Sequence, residues 1–298
     1  MADIAAPSRT GTRDLRTAPL GARSCEVTSV SDSGSYRVFT ARDESGVAPE
    51  PGQFYMLTAA QDWGAAVGRP YLPRAFSCAA ARPVSGAMDL SFLAEAVGPG
   101  TARLVALEAG EMLRLTGPLG RGFSSPRELN PGAAGAVLVG GGIGVAPLAA
   151  LRRRLRDLGT AVTTLLGFRG VEHHGGLELF SGTSSLCPGV QLATEDGSRG
   201  HRGYVTDLLE TMLAGDDAAS AAVYACGPPA MLESVRRLCG ERGVAAELAL
   251  EAPMACGFGA CMGCAVELAG GGYMRLCVDG PVVDAAAIGT ALIPGAGH

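Results

Sequence analysis

Between about residues 22 and 127 the chain alternates apolar and polar positions in short runs. Cys25–Val30, Tyr36–Ala41, Gln53–Thr58, Ala75–Ala79, Met88–Glu95 and Glu111–Thr116 each read as a strand. Ser-Asp-Ser-Gly, Pro-Glu-Pro-Gly and similar breaks separate them. Short strands with turn punctuation predict a barrel or sandwich. From about 132 to 245 the pattern changes. Ala136–Val139 is a short apolar run, Ala161–Leu166, Gln191–Thr194 and Ala221–Ala225 read as strands, Pro147–Leu158 carries helical spacing, and Val205–Ala214 and Ala230–Arg242 read as helices. Strands alternating with helices predict a parallel sheet with crossover connections. The last fifty residues are rich in cysteine and glycine and show little regular pattern. The expected division is a flexible tail over 1–21, a β-barrel domain over 22–129, an α/β domain over 130–246 and a small domain over 247–298.

Composition narrows the classes. At 298 residues, with 47% apolar and 18% charged residues, the chain can fold two or three domains with their own cores. A net charge of −5 without a dense basic patch argues against nucleic acid as a partner. Every one of the 24 basic residues is arginine, which excludes a Schiff-base lysine and a P-loop lysine. The first twenty residues lack the apolar stretch of a secretory signal. Pro131–Leu151 is uncharged over about the length of a membrane span. It contains Gly140-Gly141-Gly142, Gly144 and Pro147, which suit a strand–turn–helix far better than a spanning helix.

Nine cysteines stand at 25, 78, 187, 226, 239, 256, 261, 264 and 277. The last four have the spacing Cys-x4-Cys-x2-Cys-x12-Cys, whose first three members match the plant-type 2Fe-2S pattern. Gly257, Gly259 and Gly263 interleave Cys256, Cys261 and Cys264, so the backbone can curl tightly round an inorganic core. Ala265–Leu268 and Tyr273–Val278 flank three glycines and read as a hairpin that returns Cys277 to the loop. A structural zinc site is the competing reading, although zinc knuckles favour paired Cys-x2-Cys. The other five cysteines read as small buried hydrophobes. The run from Val137 to Leu148 sets glycines between a strand and a helix. There a pyrophosphate can meet backbone N–H groups, yet a plain tight turn has the same look, and the spacing is not Gly-x-Gly-x-x-Gly.

Together these motifs resemble the ferredoxin-reductase-like flavoproteins. That family's flavin motif stands here as Arg74-Ala75-Phe76-Ser77, its pyrophosphate turn as Gly98-Pro99-Gly100-Thr101, and its Gly-Gly-Gly-Ile-Gly-x-Ala-Pro as residues 140–147. Cys226-Gly227-Pro228 matches the element beside the nicotinamide. The segment from Glu251 to Cys264, with Cys277-Val278-Asp279-Gly280-Pro281-Val282, looks like the electron-transfer subunits of type-B dihydroorotate dehydrogenase. The resemblance spans roughly residues 22–290.

It implies three cofactors: FAD, NAD and a 2Fe-2S cluster. The cluster ligands would be Cys256, Cys261, Cys264 and Cys277. Arg74 would pair with the FAD phosphate, Phe76 would lie against the flavin and Ser77 near its reactive edge. Ala75, Gly100 and Thr101 complete that set. Leu93, Ala94 and Glu95 occupy the place of a Tyr-Arg-type pair and lack the arginine. Gly141, Gly142, Gly144, Cys226, Gly227 and Pro228 would meet NAD. No residue of this chain would be catalytic in itself, because the cofactors supply the chemistry. The implied partner is an FMN-containing dihydroorotate dehydrogenase catalytic subunit, in a cytoplasmic heterotetramer of two of each chain working in pyrimidine synthesis. The C-terminal domain would face that partner. The same domains could instead serve an oxygenase, a hydrogenase-like complex or a ferredoxin, or hold zinc in a binding protein.

Smaller features carry expectations of their own. The segment from Phe54 to Arg74 is longer than the family pattern, and Asp62–Tyr71, with the only tryptophan, Trp63, reads as a lid or an insertion. Thr194-Glu195-Asp196-Gly197-Ser198 fits either a ribose contact that favours NAD or an Asp-Gly turn. Arg152, Arg153, Arg154 and Arg156 read as a solvated helix face. His173 and His174 have no spaced partner for a metal site.

Overall fold

A computed structural model of the chain describes residues 21–44, 47–64, 70–180, 188–215 and 218–296. Seven strands come first: β1 (Arg23–Ser33), β2 (Tyr36–Asp43), β3 (Phe54–Ala59), β4 (Arg74–Ser77), β5 (Ala80–Val84), β6 (Ala87–Ala94) and, after helix α1 (Pro99–Val105), β7 (Met112–Leu119). They form one antiparallel sheet in the order β4-β3-β7-β1-β2-β6-β5. Its two edge strands are consecutive in the chain, separated only by Cys78 and Ala79, so the sheet rolls into a barrel. Phe39, Tyr55, Leu57, Leu90 and Phe92 fill the interior. Phe39 and Tyr55 each hold their ring centroid 5.6 Å from that of Phe92. Burial of each such side chain contributes about 1.5–3 kcal/mol. The sequence pattern does not show β5, which carries Pro83. Proline removes a ladder donor, so it is accommodated here on an edge strand. It does not show α1 either, because Gly98-Pro99-Gly100 at its start reads as a turn.

A buried ion pair closes one end of the barrel. Arg23 Nη2 and Nε donate to Asp43 Oδ2 and Oδ1 at 2.7 and 3.0 Å, and Nη2 also donates to the Gly117 carbonyl at 2.7 Å.

A short helix, α2 (Pro126–Leu129), leads into the second layer. There β8 (Gly135–Gly141), α3 (Val145–Asp157), β9 (Val162–Phe168), β10 (Val190–Thr194), β11 (His201–Arg202), α4 (Val205–Leu213), β12 (Ala221–Cys226), α5 (Pro229–Arg242) and β13 (Ala246–Ala249) follow in turn. The strands β11-β10-β9-β8-β12-β13 are parallel, with β8 central. The boundary expected at residue 246 falls on β13, which belongs to this sheet. The C-terminal segment forms the hairpin β14 (Ala265–Glu267) with β15 (Tyr273–Arg275), then β16 (Val282–Asp284). That last strand pairs antiparallel with β13 and extends the parallel sheet at its edge. The expectation of a solvated arginine face on α3 needs correction at one position. Arg152 is buried, with Nη2 donating to the Pro188 carbonyl at 3.2 Å, whereas Arg153, Arg154 and Arg156 are exposed.

The layers are tied by polar contacts of long sequence separation. Ser33 Oγ donates to Glu178 Oε2 and accepts from Gly176 N, both at 2.6 Å. Glu247, buried on β13, accepts from Ser124 N at 2.8 Å and from Ser124 Oγ. Tyr224 donates to the Ser124 carbonyl at 3.0 Å.

Candidate functional site

The structure places Arg74, Ala75, Phe76 and Ser77 together on β4. Arg74 Nη1 donates to the Leu72 carbonyl at 2.6 Å. Its guanidinium lies against the backbone of Gly100. A Cβ there would stand 2.7–2.9 Å from Arg74 Nε, Cζ and Nη2, so a larger residue would displace the guanidinium from this place. Two motifs 24 residues apart in sequence thus meet in space. Among the described residues Arg74 has no carboxylate partner. An unneutralised guanidinium at the barrel's rim fits the charge of a diphosphate. Phe76 is half-buried, packs against the barrel core, and sits edge-on to Phe39 at 6.4 Å.

Other predicted residues of this group offer less. Thr101 Oγ1 is committed to its own turn, where it accepts from Val97 N and Gly98 N at 2.9 and 3.0 Å. Leu93 and Ala94 are buried on β6. Glu95 is exposed just beyond that strand. Of the segment Asp62–Tyr71, expected as a lid or an insertion, residues 65–69 lie outside the described residues; Trp63 packs against the barrel core with Arg74 Cζ 5.9 Å from its ring centroid.

At the carboxyl end of the parallel sheet, Gly141, Gly142 and Gly144 form the turn between β8 and α3. A Cβ on Gly144 would stand 2.6 Å from the Cys226 carbonyl carbon and oxygen and from Gly227 Cα. Gly141 lies against Pro228 and Met231. The glycine turn and Cys226-Gly227-Pro228 are therefore one surface, at the N-terminus of the 13-residue helix α3, where backbone N–H groups favour an anion. Burial pushes the Cys226 thiol up to about 12, and the Glu251 carboxylate adds to that. Tyr36 of the barrel brings its hydroxyl to within 3.6 Å of the position a Gly142 Cβ would take. Across the sheet end, Asp196 Oδ1 accepts from Ser198 N and Oγ at 2.9 and 2.6 Å, so the Thr194–Ser198 segment is a side-chain-closed turn. His174 packs edge-on to Phe168 at 5.9 Å.

The four C-terminal cysteines meet in pairs. Cys256 interacts with the Cys261 thiol, and Cys277 N donates to Cys264 Sγ at 3.4 Å. Cys277 also feels the charge of Cys256, which links the pairs. Among the described residues no three metal-ligating side chains gather as a group for one ion. Burial opposes ionisation of Cys256, but the backbone N–H groups of Phe258, Cys261 and Ala260 and the Cys261 thiol bring it down to about 6. Burial and the adjacent Cys264 push Cys277 up to about 12. Bound iron would deprotonate every thiol outright. Two thiol pairs inside a loop of inward N–H donors fit two irons and their sulfides. Cys25, Cys78 and Cys239 are buried and distant in sequence, and Cys187 lies outside the described residues.

The cysteine loop leans on the barrel. Gly257, at φ +77°, packs its backbone on Met56, with a Cβ position 2.5 Å from Met56 Cγ. Met56 of β3 is the register partner of Ala75 of β4. The thiol loop and the Arg74–Ser77 strand are therefore separated by one strand. Sequence spacing carries no sign of this contact.

Comparison with known proteins agrees with this layout. Residues 251–289 match the family described as the iron-sulfur cluster binding domain of dihydroorotate dehydrogenase B, and residues 138–237 the oxidoreductase NAD-binding domain. The dihydroorotate dehydrogenase B (NAD(+)) electron transfer subunit of Caldanaerobacter subterraneus subsp. tengcongensis is 34% identical over 240 residues, covering 80% of this chain and 86% of that protein. The subunit of the same name from Clostridium acetobutylicum is 36% identical over 234 residues, covering 78% and 83%. Among solved structures, an NADH-dependent reduced ferredoxin-NADP oxidoreductase superposes with a TM-score of 0.72 at 24% identity, covering 89% of both chains. A ferredoxin NADP+ reductase from Neisseria gonorrhoeae superposes at 0.58 and 18% identity, covering 74% of this chain and 92% of that one. These two show the fold. By identity and coverage, the chain belongs to the family of dihydroorotate dehydrogenase B electron transfer subunits.

Proposed function

We propose that this chain is the electron-transfer subunit of an NAD-linked dihydroorotate dehydrogenase, carrying a 2Fe-2S cluster and FAD and exchanging electrons with NAD for pyrimidine synthesis. The observation that carries the reading is the contact of Gly257 with Met56, the residue paired with Ala75. It sets the thiol loop one strand away from the strand that bears the flavin motif. When bound, FAD supplies one-electron exchange on its cluster side and hydride exchange on its nicotinamide side.

The chain's own residues hold these groups. Arg74 neutralises the FAD diphosphate beside Gly100, and Phe76 and Ser77 line the flavin from β4. The backbone at Ala75, Leu93, Ala94, Glu95 and Thr101 completes the flavin wall. Gly141, Gly142 and Gly144 receive the nicotinamide dinucleotide at the start of α3, and Cys226, Gly227 and Pro228 form the facing wall. Cys256, Cys261, Cys264 and Cys277 would hold the cluster, and the N–H groups around Cys256 would stabilise the negative charge on sulfur. The pairing of the thiols favours two irons over a single zinc ion.

The partner in this reading is an FMN-containing catalytic subunit, in a complex of two copies of each chain in the cytoplasm. Support comes from the rim of the thiol loop. Phe258 and Met262, 52% and 45% exposed, stand beside the exposed Cys261, and apolar side chains so placed suit a protein interface. No helix among the described residues is long and apolar enough to cross a membrane. The test is Cys277→Ser in the purified chain: iron and acid-labile sulfide fall while FAD per chain stays. Unchanged iron content and visible spectrum would overturn the ligand assignment. A dihydroorotate dehydrogenase subunit that never co-purifies would overturn the partner.

A further inference from the structure

Trp63 is the only tryptophan in the chain, in a stretch longer than the family pattern requires. Its position suits a contact with ligand. The ring is packed against the barrel core. Arg74 lies on it, with Cζ 5.9 Å from the ring centroid, inside the range of a cation–π contact. The indole Nε1 is buried and has no hydrogen-bond partner among the described residues. A buried N–H normally finds an acceptor, and an unmet one is costly.

The guanidinium beside it is held with the same economy. Arg74 Nη1 is taken by the Leu72 carbonyl, while Nε and Nη2 lie over the Gly100 backbone with no carboxylate partner in the described residues. An unpartnered N–H and an unneutralised guanidinium therefore stand side by side. An anion with several acceptor oxygens would satisfy both at once. Next to the ring, Gly64 N donates to the Pro70 carbonyl at 2.8 Å. Asp62, before the tryptophan, sits at φ +57°.

We propose that Trp63 is a flavin-binding residue of this chain: its ring holds the Arg74 guanidinium in place and its indole N–H donates to the diphosphate of bound FAD. This rests on the reading that Arg74 faces that diphosphate. Cation–π contact stiffens a long side chain whose freedom would otherwise be lost on binding. A charge-assisted hydrogen bond from a buried donor adds direct affinity. Neither interaction needs a change in the flavin motif itself, so Trp63 supplements the arginine that Leu93-Ala94-Glu95 lacks.

The experiment uses the full chain with its cofactors, as wild type, Trp63→Phe and Trp63→Leu. Phe keeps an aromatic face but removes the N–H together with the fused five-membered ring. FAD dissociation is followed by the rise of free-flavin fluorescence on dilution, and the environment of the bound diphosphate by phosphorus-31 NMR. Iron per chain, set by the cysteines of the C-terminal loop, reports whether the fold survives. FAD should leave Trp63→Phe about tenfold faster, equivalent to roughly 1.4 kcal/mol, and Trp63→Leu faster still. One phosphorus resonance should move in Trp63→Phe, which a purely packing role for the ring would leave in place. In the unmodified chain, labelled with nitrogen-15 on the indole, the single indole signal should shift between the flavin-free and flavin-bound forms. An unmoved indole signal and an unchanged FAD dissociation rate in Trp63→Phe would overturn the inference while the Arg74 reading stands. Wild-type protein that binds no FAD, or Arg74→Ala that binds it normally, would overturn the flavin reading and this inference with it.

Discussion

Gly144→Ala is a sharp test of the nicotinamide-side geometry. The backbone at Gly144 has φ −62° and ψ −6°, where alanine is at ease, so any penalty is steric and not conformational. The added Cβ would sit 2.6 Å from three backbone atoms of Cys226 and Gly227. Backbone at the end of a central strand cannot swing aside as a side-chain tip can. Overpacking of this kind costs about 1–3 kcal/mol, and each kcal/mol moves Tm by about 2–4 °C for a domain of 150–250 residues. The expected fall is thus roughly 2–12 °C, together with a rise in KM for NADH as the turn is pushed off Cys226. Gly240→Ala is the matched control. Gly240 is exposed within α5, and a Cβ there meets nothing within 4 Å. Removing a helical glycine stabilises by roughly 0.5–1 kcal/mol, so Tm should rise by about 1–4 °C with KM unchanged. Thermal unfolding of both variants in one buffer, with steady-state NADH kinetics, reads the contrast. If Gly144→Ala kept its Tm and KM, the tight seating of the glycine turn on Cys226-Gly227 would be wrong.

Glu233 should give an acid-sensitive component of stability. The Arg236 guanidinium, the Ala291 N–H and the Thr290 hydroxyl hold its carboxylate at about 2, below the ordinary 4.5, against the opposing effect of burial. Because the folded pKa is depressed, this stabilisation is complete above about 4.5 and lost as pH falls toward 2. Glu233→Gln should lower unfolding free energy by up to roughly 3 kcal/mol at pH 7 and by progressively less in acid; urea titrations at several pH values check the slope. Ser124→Ala removes one of two Ser124 donors to buried Glu247 and should cost about 1.5–3 kcal/mol, read as a lower denaturant midpoint at unchanged m-value.

Much of the site is legible in local sequence because its chemistry needs fixed spacing. Cys256, Cys261 and Cys264 must curl round a small core, so the loop itself carries their signature. Gly141, Gly142 and Gly144 likewise sit between a strand and a helix whose patterns are both clear. What is illegible depends on residues far apart in the chain. Ser124 and Glu247 are 123 positions apart, and nothing near either shows that a carboxylate is to be buried there. Arg152 lies among exposed arginines of the same helix, and the carbonyl it donates to, that of Pro188, stands 36 positions away in the chain. Trp63 stands in no periodic pattern, so only the fold of its loop reveals that it faces Arg74. At Leu93 and Ala94, the missing arginine was visible in sequence, but the burial of both side chains follows from where β6 lies in the barrel.

The pairing of β16 with β13 has an engineering consequence. The cysteine segment is entered from one strand of the parallel sheet and left through another, so it is a loop clipped at both ends and not an appended tail. Transplanting it to a reductase by joining it to the last strand alone would leave one end loose and let the thiol loop drift from Met56. A working graft must carry both junctions, with the receiving sheet offering an open edge for the second. The same double anchorage means that any variant which frays this sheet edge should weaken electronic coupling between the two halves of the molecule before it unfolds either of them.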